Sequence, residues 1–311
     1  MVSKRYAVVV GSMNCDVIYL QDRLPQRGET LQARSVSVVP GGKGANQAVQ
    51  CAKLGMDTYM VAKVGRDNFG IFLKEELESY GVITSYVMTG DGQTGLAAVL
   101  TLPDGVYHST VAPGSNFAIT VAEIESLRSL IEGAALVIVQ CEITHEATEH
   151  AIKIAHESGV YVLLNAAPAR PVSDTCLRMV DCMIVNETEA AYYVGQPINS
   201  VEHAMQMAPE LRKKVKDIVV ITLGDKGSVL CTKEGVSYFA ADETIKAIET
   251  TGSGDSYVGS FAFMKANGST DYEACDFASL VSQYTVTRIG GQPSMPTWRD
   301  IQGLWQKAKE A

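Results

Sequence analysis

The stretch "CMIVNETEA" (182–190) passes directly from a short apolar run into a pattern typical of a helix. Its first residues are almost all apolar, as in a strand that is buried on both faces of a parallel sheet. Asn186 can cap the helix that follows, and Glu189 lies three residues later on the same face of its first turn. The stretch therefore predicts one strand-to-helix unit of a layered α/β protein.

The same alternation of strand and helix extends over most of the chain. Further buried strands are predicted at 6–11, 135–140, 160–165 and 218–224. Helices are predicted around 44–54, 68–80, 120–131, 145–157, 187–194 and 201–214. This order predicts a three-layer α/β/α sandwich built on a mostly parallel central sheet.

Two segments, 16–39 and 94–112, interrupt the alternation. They contain extended pieces such as "ARSVSVV" (33–39) and "TGLAAVLTLPDGVYHSTV" (94–111), the second with a Pro-Asp-Gly turn at 103–105. Such pieces predict a small accessory β-sheet within a single domain that spans residues 1–311. We expect this sheet to act as a lid or to pair with another copy, since either would cover its open face.

Composition excludes several classes of protein. The 311 residues carry a net charge of −9, so we expect no nucleic-acid partner, although backbone N–H groups could still bind phosphate. The seven cysteines form no C-x-x-C pair, which indicates reduced thiols rather than disulfides or a zinc site. The N-terminal apolar run is too short for a signal peptide, and no stretch is long enough to span a membrane. We therefore expect a cytoplasmic protein.

Near the N-terminus, polar residues surround a glycine cluster. "PGGKGANQA" (40–48) lacks the Ser or Thr that follows Gly-Lys in a nucleotide P-loop, and "GSMNCD" (11–16) lacks the dinucleotide fingerprint G-x-G-x-x-G. The remaining carboxylate, amide and ammonium groups suit a ligand with many hydroxyl groups. They belong to Asn14, Asp16, Gly42, Lys43 and Asn46. An ordinary turn would explain Asn14 and Asp16 equally well.

Three later motifs also have two interpretations each. Asn186 and Glu189 form an ordinary capping box, or they organise Mg²⁺ and its waters around a phosphate. "TLGDKGS" (222–228) suits either a loop beside a nucleotide or a simple hairpin. In "TTGSGDSYVG" (250–259), the glycines make a turn that Asp255 caps, or they let backbone N–H groups approach an anion at a helix N-terminus.

Taken together and in this order, the motifs resemble the ribokinase-like (PfkB) carbohydrate kinase family over nearly the whole chain. The resemblance rests on "GSMNCD", "GGKGANQA" (41–48), "VGRDNFG" (64–70), "NETE" (186–189), "TLGDKG" (222–227) and "TTGSGDSYVG". The tail "VTRIGGQPSMP" (286–296) is similar to that of the members that phosphorylate ribose. The resemblance implies a central sheet flanked by helices, with a β lid that often forms a homodimer.

The resemblance also implies an activity, which is transfer of the γ-phosphoryl group of ATP to the 5-hydroxyl of D-ribose. Another small sugar or a nucleoside is the alternative substrate within the family. From a different class comes a sugar-binding protein without catalysis, although an intact Asp255 motif would then serve no chemical purpose.

Residue roles follow from the same resemblance. Asp255 would be the catalytic base, and Gly252, Ser253 and Gly254 would form an anion hole. The sugar would contact Asn14, Asp16, Gly42, Lys43, Asn46, Glu142 and Asp255. ATP would contact Asn186, Gly254, Ser279 and the loop of Thr222, Leu223, Gly224, Asp225, Lys226 and Gly227. Glu189 would act through Mg²⁺ and its waters.

A monovalent cation, normally K⁺, is implied beside the anion hole. This chain departs from the family there, because Glu249 stands where the family usually has Asp. The other candidate ligands are Thr251, Thr285, Arg288, Gly290 and Ser294. Glu249 is one methylene longer than Asp, so it either coordinates the ion differently or replaces its effect by hydrogen-bonding the loop. We expect K⁺ activation to be weakened or altered.

Overall fold

The computed structural model describes residues 6–103 and 107–310. The strands are β1 Ala7–Val10, β2 Asn14–Leu20, β3 Ser35–Gly41, β4 Thr58–Gly65, β5 Ile83–Gly90, β6 Gly95–Thr101, β7 Tyr107–Ala112, β8 Leu136–Gln140, β9 Tyr161–Asn165, β10 Cys182–Asn186, β11 Ile218–Thr222, β12 Ser228–Cys231 and β13 Val236–Phe239. The helices are α1 Lys43–Lys53, α2 Asn68–Ser79, α3 Val121–Ser126, α4 Arg128–Glu132, α5 His145–Glu157, α6 Asp174–Leu177, α7 Glu187–Val194, α8 Val201–Arg212, α9 Ser253–Ala266, α10 Asp271–Val286, α11 Gly291–Ser294 and α12 Trp298–Glu310. Short 3₁₀ turns cover Gly114–Ala118 and Gly224–Lys226.

Within the described residues, nine strands form the main sheet, in the order β13-β12-β11-β10-β9-β8-β1-β4-β5. The strands from β11 to β5 are parallel, and β12 and β13 run antiparallel to their neighbours. The carboxyl ends of parallel strands meet at one edge, where open α/β sheets bind their ligands. The segments that leave β1, β8, β9 and β10 therefore converge at this edge.

Alternate residues of β1 face two different cores. Ala7 and Val9 belong to the core that contains α1, α9 and α10, whereas Val8 and Val10 belong to the core that contains α5 and α8. All four side chains are fully buried, so this strand is apolar on both faces. Helices thus cover both faces of the sheet, and the predicted three-layer arrangement is confirmed.

In the part of the chain that the structure describes, the second sheet has four strands in the order β3-β2-β6-β7. Strand β2 is parallel to β6, and the other two pairs are antiparallel. β6 and β7 lie within the predicted segment 94–112, whereas β2 begins two residues before the predicted segment 16–39 and β3 ends two residues after it. In the predicted turn at 103–105, residues 104 and 105 lie outside the described residues.

The register of β2 separates two faces of the small sheet. Successive side chains of a strand point to opposite faces. Asp16 therefore lies on one face, and the other carries Val17, Tyr19, Val36 and Val38, which we call the outer face. Val36 is 58% and Val38 is 46% exposed, so the outer face presents apolar surface.

Some elements differ from the sequence predictions. The predicted helix at 120–131 is two short helices, α3 and α4, because Leu127 between them leaves the helical conformation with φ −101° and ψ 13°. Strands β4 and β5 were not predicted. The charged residue Lys63 interrupts the apolar run of β4, and β5 has a mixed burial pattern because it lies at the end of the sheet.

All seven cysteines are buried and free. Among the helices of the two described ranges, none is both long and apolar enough to cross a bilayer.

Candidate active site

The start of α9 is shaped by glycine. Gly252 occupies the N-cap position with φ 78°, in the left-handed region that favours glycine. The Ser253 N–H group donates to the Thr250 carbonyl at 3.2 Å, so this amide is already engaged in the turn. In the described part of the chain, the N–H groups of Gly254 and Asp255 have no acceptor, and the space beside the Gly254 Cα is open. This helix end therefore has the donors and the room for an anion.

The Asp255 side chain does not cap its own helix. The carboxylate is 8% exposed, and both its oxygens are bonded to α1. Asn46 Nδ2 donates to Oδ2 at 2.8 Å, and Gln47 Nε2 donates to Oδ1 at 2.9 Å. The interpretation of this motif as a plain turn with Asp255 as the cap is therefore wrong.

The glycine cluster at the start of α1 lies directly against the segment that follows β1. Gly42 has φ 92°, and a Cβ atom there would lie 2.8 Å from the Asn14 backbone nitrogen. Glu142, which follows β8, accepts from Ser12 Oγ at 2.5 Å and from the Lys43 N–H group at 3.1 Å. The structure therefore brings the predicted sugar residues of three separate segments together.

Asn14 and Asp16 are fixed by different neighbours. The Asn14 Oδ1 atom accepts from Asn116 Nδ2 at 2.8 Å, and Asn116 also bonds to the N–H group and the carbonyl of Met13. Asp16 lies against Gly41, where an added Cβ would be 2.4 Å from Asp16 Oδ2. Asn116, which the sequence did not single out, thus determines how the Asn14 amide is presented.

Burial dominates the electrostatics of this cluster. Burial is the main reason that the pKa of Asp16 is raised to about 7, with the carboxylates of Glu142 and Asp255 adding to the rise and Lys43 opposing it. Burial also raises the pKa of Asp255, against the opposing effects of Lys43 and of the Asn46 and Gln47 amides. The site therefore gathers acids around Lys43, which favours ligands that donate hydrogen bonds.

Asn186 and Glu189 do form a capping box. The Glu189 N–H group donates to Asn186 Oδ1 and the Asn186 N–H group donates to Glu189 Oε2, both at 2.9 Å. Glu189 is 7% exposed, and burial raises its pKa, while the Asn186 N–H group and Lys43 oppose this shift. Among the described residues, no group bonds to Glu189 Oε1, so this oxygen is available for a hydrated cation. The helix-capping role and a role toward Mg²⁺ are thus compatible.

The predicted ATP loop is a hairpin turn between β11 and β12. The Leu223 N–H group donates to the Gly227 carbonyl at 2.8 Å. Thr222 pairs with Asn186 in the register of β11 and β10, so the loop begins beside the capping box. Gly224, Asp225 and Lys226 are exposed there. Ser279 is half-buried on α10, a helix that contacts β12 and β13.

The predicted cation residues lie where 249–252 meets 285–295, but their side chains are largely engaged. Glu249 Oε2 accepts from the Gly290 N–H group at 2.8 Å. The Thr285 and Ser294 hydroxyls donate to the carbonyls of Val281 and Gly291 at 2.9 and 2.8 Å. Arg288 stacks on the Tyr284 ring, and the Thr251 methyl group lies beside Gly291. Glu249 therefore binds the loop directly, which is one of the two alternatives that its extra methylene allowed.

Besides Asn116, four further buried amide residues at the site were not predicted. They are Gln47, Gln140, Asn165 and Gln292. Gln292 Nε2 donates to Asn46 Oδ1 at 3.0 Å, and Gln47, Gln140 and Asn165 form a connected chain. Their one signal in the sequence is position, since Gln140 and Asn165 end buried strands and Gln47 follows the glycine cluster. Which atoms they bond to depends on packing between distant segments.

Comparison with known proteins gives a consistent result. The sequence profile described as "pfkB family carbohydrate kinase" matches residues 4–298. The ribokinase of Mus musculus is 35% identical over 302 residues, which cover 94% of this chain and 93% of the mouse protein. The deoxyribokinase of Salmonella typhi is 31% identical over 291 residues, which cover 93% and 95% of the two chains. A solved structure of Arabidopsis thaliana ribokinase complexed with ribose and ATP matches with a TM-score of 0.90 and 30% identity, over 97% of this chain and 99% of that one. This chain belongs to the pfkB family of carbohydrate kinases.

Proposed function

We propose that this protein transfers the γ-phosphoryl group of ATP to the 5-hydroxyl of D-ribose. The observation that carries the proposal is the buried Asp255 carboxylate, which lies at the open N-terminus of α9 and is bonded to α1 beside the predicted sugar residues. The mouse ribokinase and the Arabidopsis ribokinase complexed with ribose and ATP support D-ribose as the acceptor.

The sugar is held by groups that both donate and accept hydrogen bonds. Asn14, Asp16, Gly42, Lys43, Asn46 and Glu142 supply carboxylate, amide, ammonium and backbone groups from three segments. This mixture matches sugar hydroxyls, which are donors and acceptors at once. Asp16 and Glu142 then accept from hydroxyls, and Lys43 donates to them.

Phosphoryl transfer needs positioning and charge stabilisation more than covalent chemistry. Backbone N–H groups at Gly252, Ser253 and Gly254 stabilise the transferring group, and one such donor is typically worth about 2.7–4 kcal/mol. Since the Ser253 amide donates to Thr250, we assign the larger share to the Gly254 amide. Asp255 orients the sugar hydroxyl and accepts its proton late, as bonding to phosphorus develops.

ATP lies along the exposed turn that follows β11. We assign contacts with it to Asn186, Gly254, Ser279 and Thr222 through Gly227. Glu189 Oε1 would hold a water of bound Mg²⁺, an ion that keeps several waters in most protein sites. When bound, Mg²⁺ neutralises charge on the phosphates.

We assign a reduced role to K⁺. Thr251, Thr285, Arg288, Gly290 and Ser294 surround the candidate position, but the Glu249 carboxylate already holds the Gly290 N–H group at 2.8 Å. A bond of this kind orders the loop beside the anion hole without an ion. We expect K⁺ to stimulate the reaction weakly.

The small sheet serves as a lid over the sugar within a single domain of residues 1–311. Its Asp16 face turns toward the sugar residues, while the outer face exposes Val36 and Val38. We propose that two copies form a homodimer through this sheet, since exposed apolar patches commonly mark interaction surfaces. Seven free thiols are compatible with a cytoplasmic enzyme.

The test is ADP release with Mg·ATP across D-ribose, 2-deoxy-D-ribose, D-fructose and nucleosides, with a blank that lacks acceptor. The highest kcat/KM with D-ribose supports the proposal. The Salmonella deoxyribokinase makes 2-deoxy-D-ribose the strongest competitor, and a preference for it would overturn the choice of sugar but not the family. Absence of turnover with every acceptor, together with ligand-induced thermal shifts, would favour a binding protein.

A further inference from the structure

Every polar atom of the Gln47 side-chain amide is engaged. Gln47 lies in α1, is fully buried, and donates through Nε2 to Asp255 Oδ1 and to Asn165 Oδ1, both at 2.9 Å. Its Oε1 atom accepts from Gln140 Nε2 at 2.7 Å. The amide therefore joins the proposed base to the ends of β8 and β9.

These partners permit one orientation of the amide. If it were turned over, Gln47 Oε1 would face two acceptor oxygens, and Nε2 would face the Gln140 donor. Asn165 is held in turn, because its Nδ2 atom donates to the Ile184 carbonyl at 3.0 Å. Gln140 and Asn165 end central strands of the sheet, so the orientation of Gln47 is imposed by the rigid core.

The two oxygens of Asp255 are thus fixed by neighbouring residues of one helix. Asn46 holds Oδ2, but its amide is also assigned to the sugar, so that bond can change when substrate binds. Gln47 has no predicted contact with sugar or ATP, and its bond to Oδ1 can persist through the reaction. A carboxylate held in this way keeps its remaining lone pairs in a fixed direction.

We propose that Gln47 is a positioning residue that orients the Asp255 carboxylate toward the sugar hydroxyl, and that Gln140 orients Gln47. This inference rests on the proposed function, in which Asp255 is the base. Gln47 acts through Asp255 and does not touch the reacting atoms.

The charged groups around Asp255 come from several elements. Lys43 faces it from α1, Glu142 from the segment after β8, Asp16 from β2 and Glu189 from α7. The Gln47 N–H donor lowers the pKa of Asp255 against the effect of burial. Removing this donor should raise that pKa, which moves the acidic limb of the kcat/KM profile to higher pH.

The chain offers a matched control for Gln47→Met. Gln50 lies one turn further along α1, is also fully buried, and donates to the Pro296 carbonyl at 3.2 Å instead of to Asp255. For Gln47→Met we expect kcat with D-ribose to fall roughly 10- to 100-fold, with the KM for ATP nearly unchanged and the acidic limb shifted upward. Gln50→Met should lose stability similarly, yet keep the position of the acidic limb.

Two further measurements keep the inference testable if Gln47→Met folds poorly. Gln140→Met leaves the Gln47 donor in place but removes the group that orients it, so kcat should fall less and in the same direction. Thermal unfolding gives a readout without turnover. Because the pKa of Asp255 is raised on folding, its ionisation costs stability as pH rises, and a further rise in this pKa enlarges that cost. The stability lost in Gln47→Met should therefore grow as pH rises above the ordinary Asp pKa of 3.8, while that lost in Gln50→Met stays constant.

Failure of this inference can be distinguished from failure of the proposed function. If the wild type phosphorylates D-ribose while Gln47→Met keeps its kcat and pH profile, or Gln50→Met matches Gln47→Met in both, the role of Gln47 is wrong. If the wild type phosphorylates no sugar but the pH-dependent loss is confined to Gln47→Met, the proposed function fails and the link between Gln47 and Asp255 stands.

Discussion

Asn46 and Asp255 lie 209 positions apart in the chain, and their side chains meet at 2.8 Å, with Asn46 Nδ2 donating to Asp255 Oδ2. Asn46 is in the first turn of α1, beside the predicted sugar residues, and Asp255 is in the first turn of α9, beside the predicted anion hole. The two helices pack directly against each other. Their packing therefore sets the distance between the predicted sugar residues and the predicted anion hole, and substitutions that disturb it should affect kcat.

Gly252→Ala should lower both stability and activity. The φ of 78° strains any residue with a Cβ, at a cost of about 1–2 kcal/mol, and the added methyl would lie 3.2 Å from the Met295 Cε. We expect kcat to fall roughly 10- to 100-fold because the N–H donors at the start of α9 move. Urea denaturation and steady-state kinetics measure the two effects.

Gly268→Ala is the matched control for Gly252→Ala. Gly268 has φ 82° and open space around it, and it follows the other end of α9. The Gly268→Ala variant should lose about as much stability as Gly252→Ala and keep the kcat of the wild type. An equal fall of kcat in both variants would show that loss of stability, and not the anion hole, explains the effect.

Asp16→Asn should change the pH dependence of stability. Folding raises the pKa of Asp16 from 3.8 to about 7. The favourable contribution of Asp16 to the free energy of unfolding is therefore present below pH 4 and is lost as pH rises through about 7. The variant should therefore unfold at a higher temperature than the wild type at about pH 8 and show little gain at about pH 5.

The control for Asp16 is Asp91→Asn, which changes a fully exposed acid. Its unfolding temperature should differ from that of the wild type by the same small amount at both pH values. A rise in unfolding temperature for Asp16→Asn that is equal at both pH values would contradict the raised pKa of Asp16. Asp16→Asn should also raise the KM for D-ribose, since the amide of Asn accepts hydrogen bonds from sugar hydroxyls more weakly than the proposed carboxylate acceptor does.

Glu249→Asp should increase stimulation by K⁺. The shorter side chain cannot keep the present bond to the Gly290 N–H group without a shift of backbone, so the loop depends more on an ion. The measurement is the initial rate in potassium chloride against that in choline chloride, with Glu243→Asp as an exposed acidic control. Strong stimulation of the wild type by K⁺ would contradict this account of Glu249.

Val38→Glu should weaken the proposed homodimer. A carboxylate on the outer face of the small sheet would be buried without a partner when two copies pair there. Sedimentation velocity over a range of concentrations should show more monomer for this variant than for the wild type. Ile71→Glu, an exposed change on α2, should leave the distribution unchanged. A monomeric wild type would refute the homodimer.

The sequence predicts those parts of the fold that are marked by local pattern. Strands such as β8 and β10 are recognisable because they are buried on both faces, and the start of α9 because glycines precede it. Strand β5 was missed because an edge strand is less uniformly apolar. For Glu249 the sequence suggested a bond to the loop as one of two alternatives but not the Gly290 N–H group as its partner, and the bond of Gln47 to Asp255 could not be predicted, since these bonds join residues 41 and 208 positions apart. Tertiary packing alone brings such groups together.

The most direct test of the account is the kcat of Asp255→Ala with D-ribose and Mg·ATP, alongside calorimetric titration of D-ribose and thermal unfolding. Loss of a general base typically costs 10²- to 10⁴-fold, so we expect kcat to fall by roughly that factor while the variant stays folded and still binds D-ribose. A folded variant whose kcat stays within roughly tenfold of the wild type would contradict Asp255 as the base.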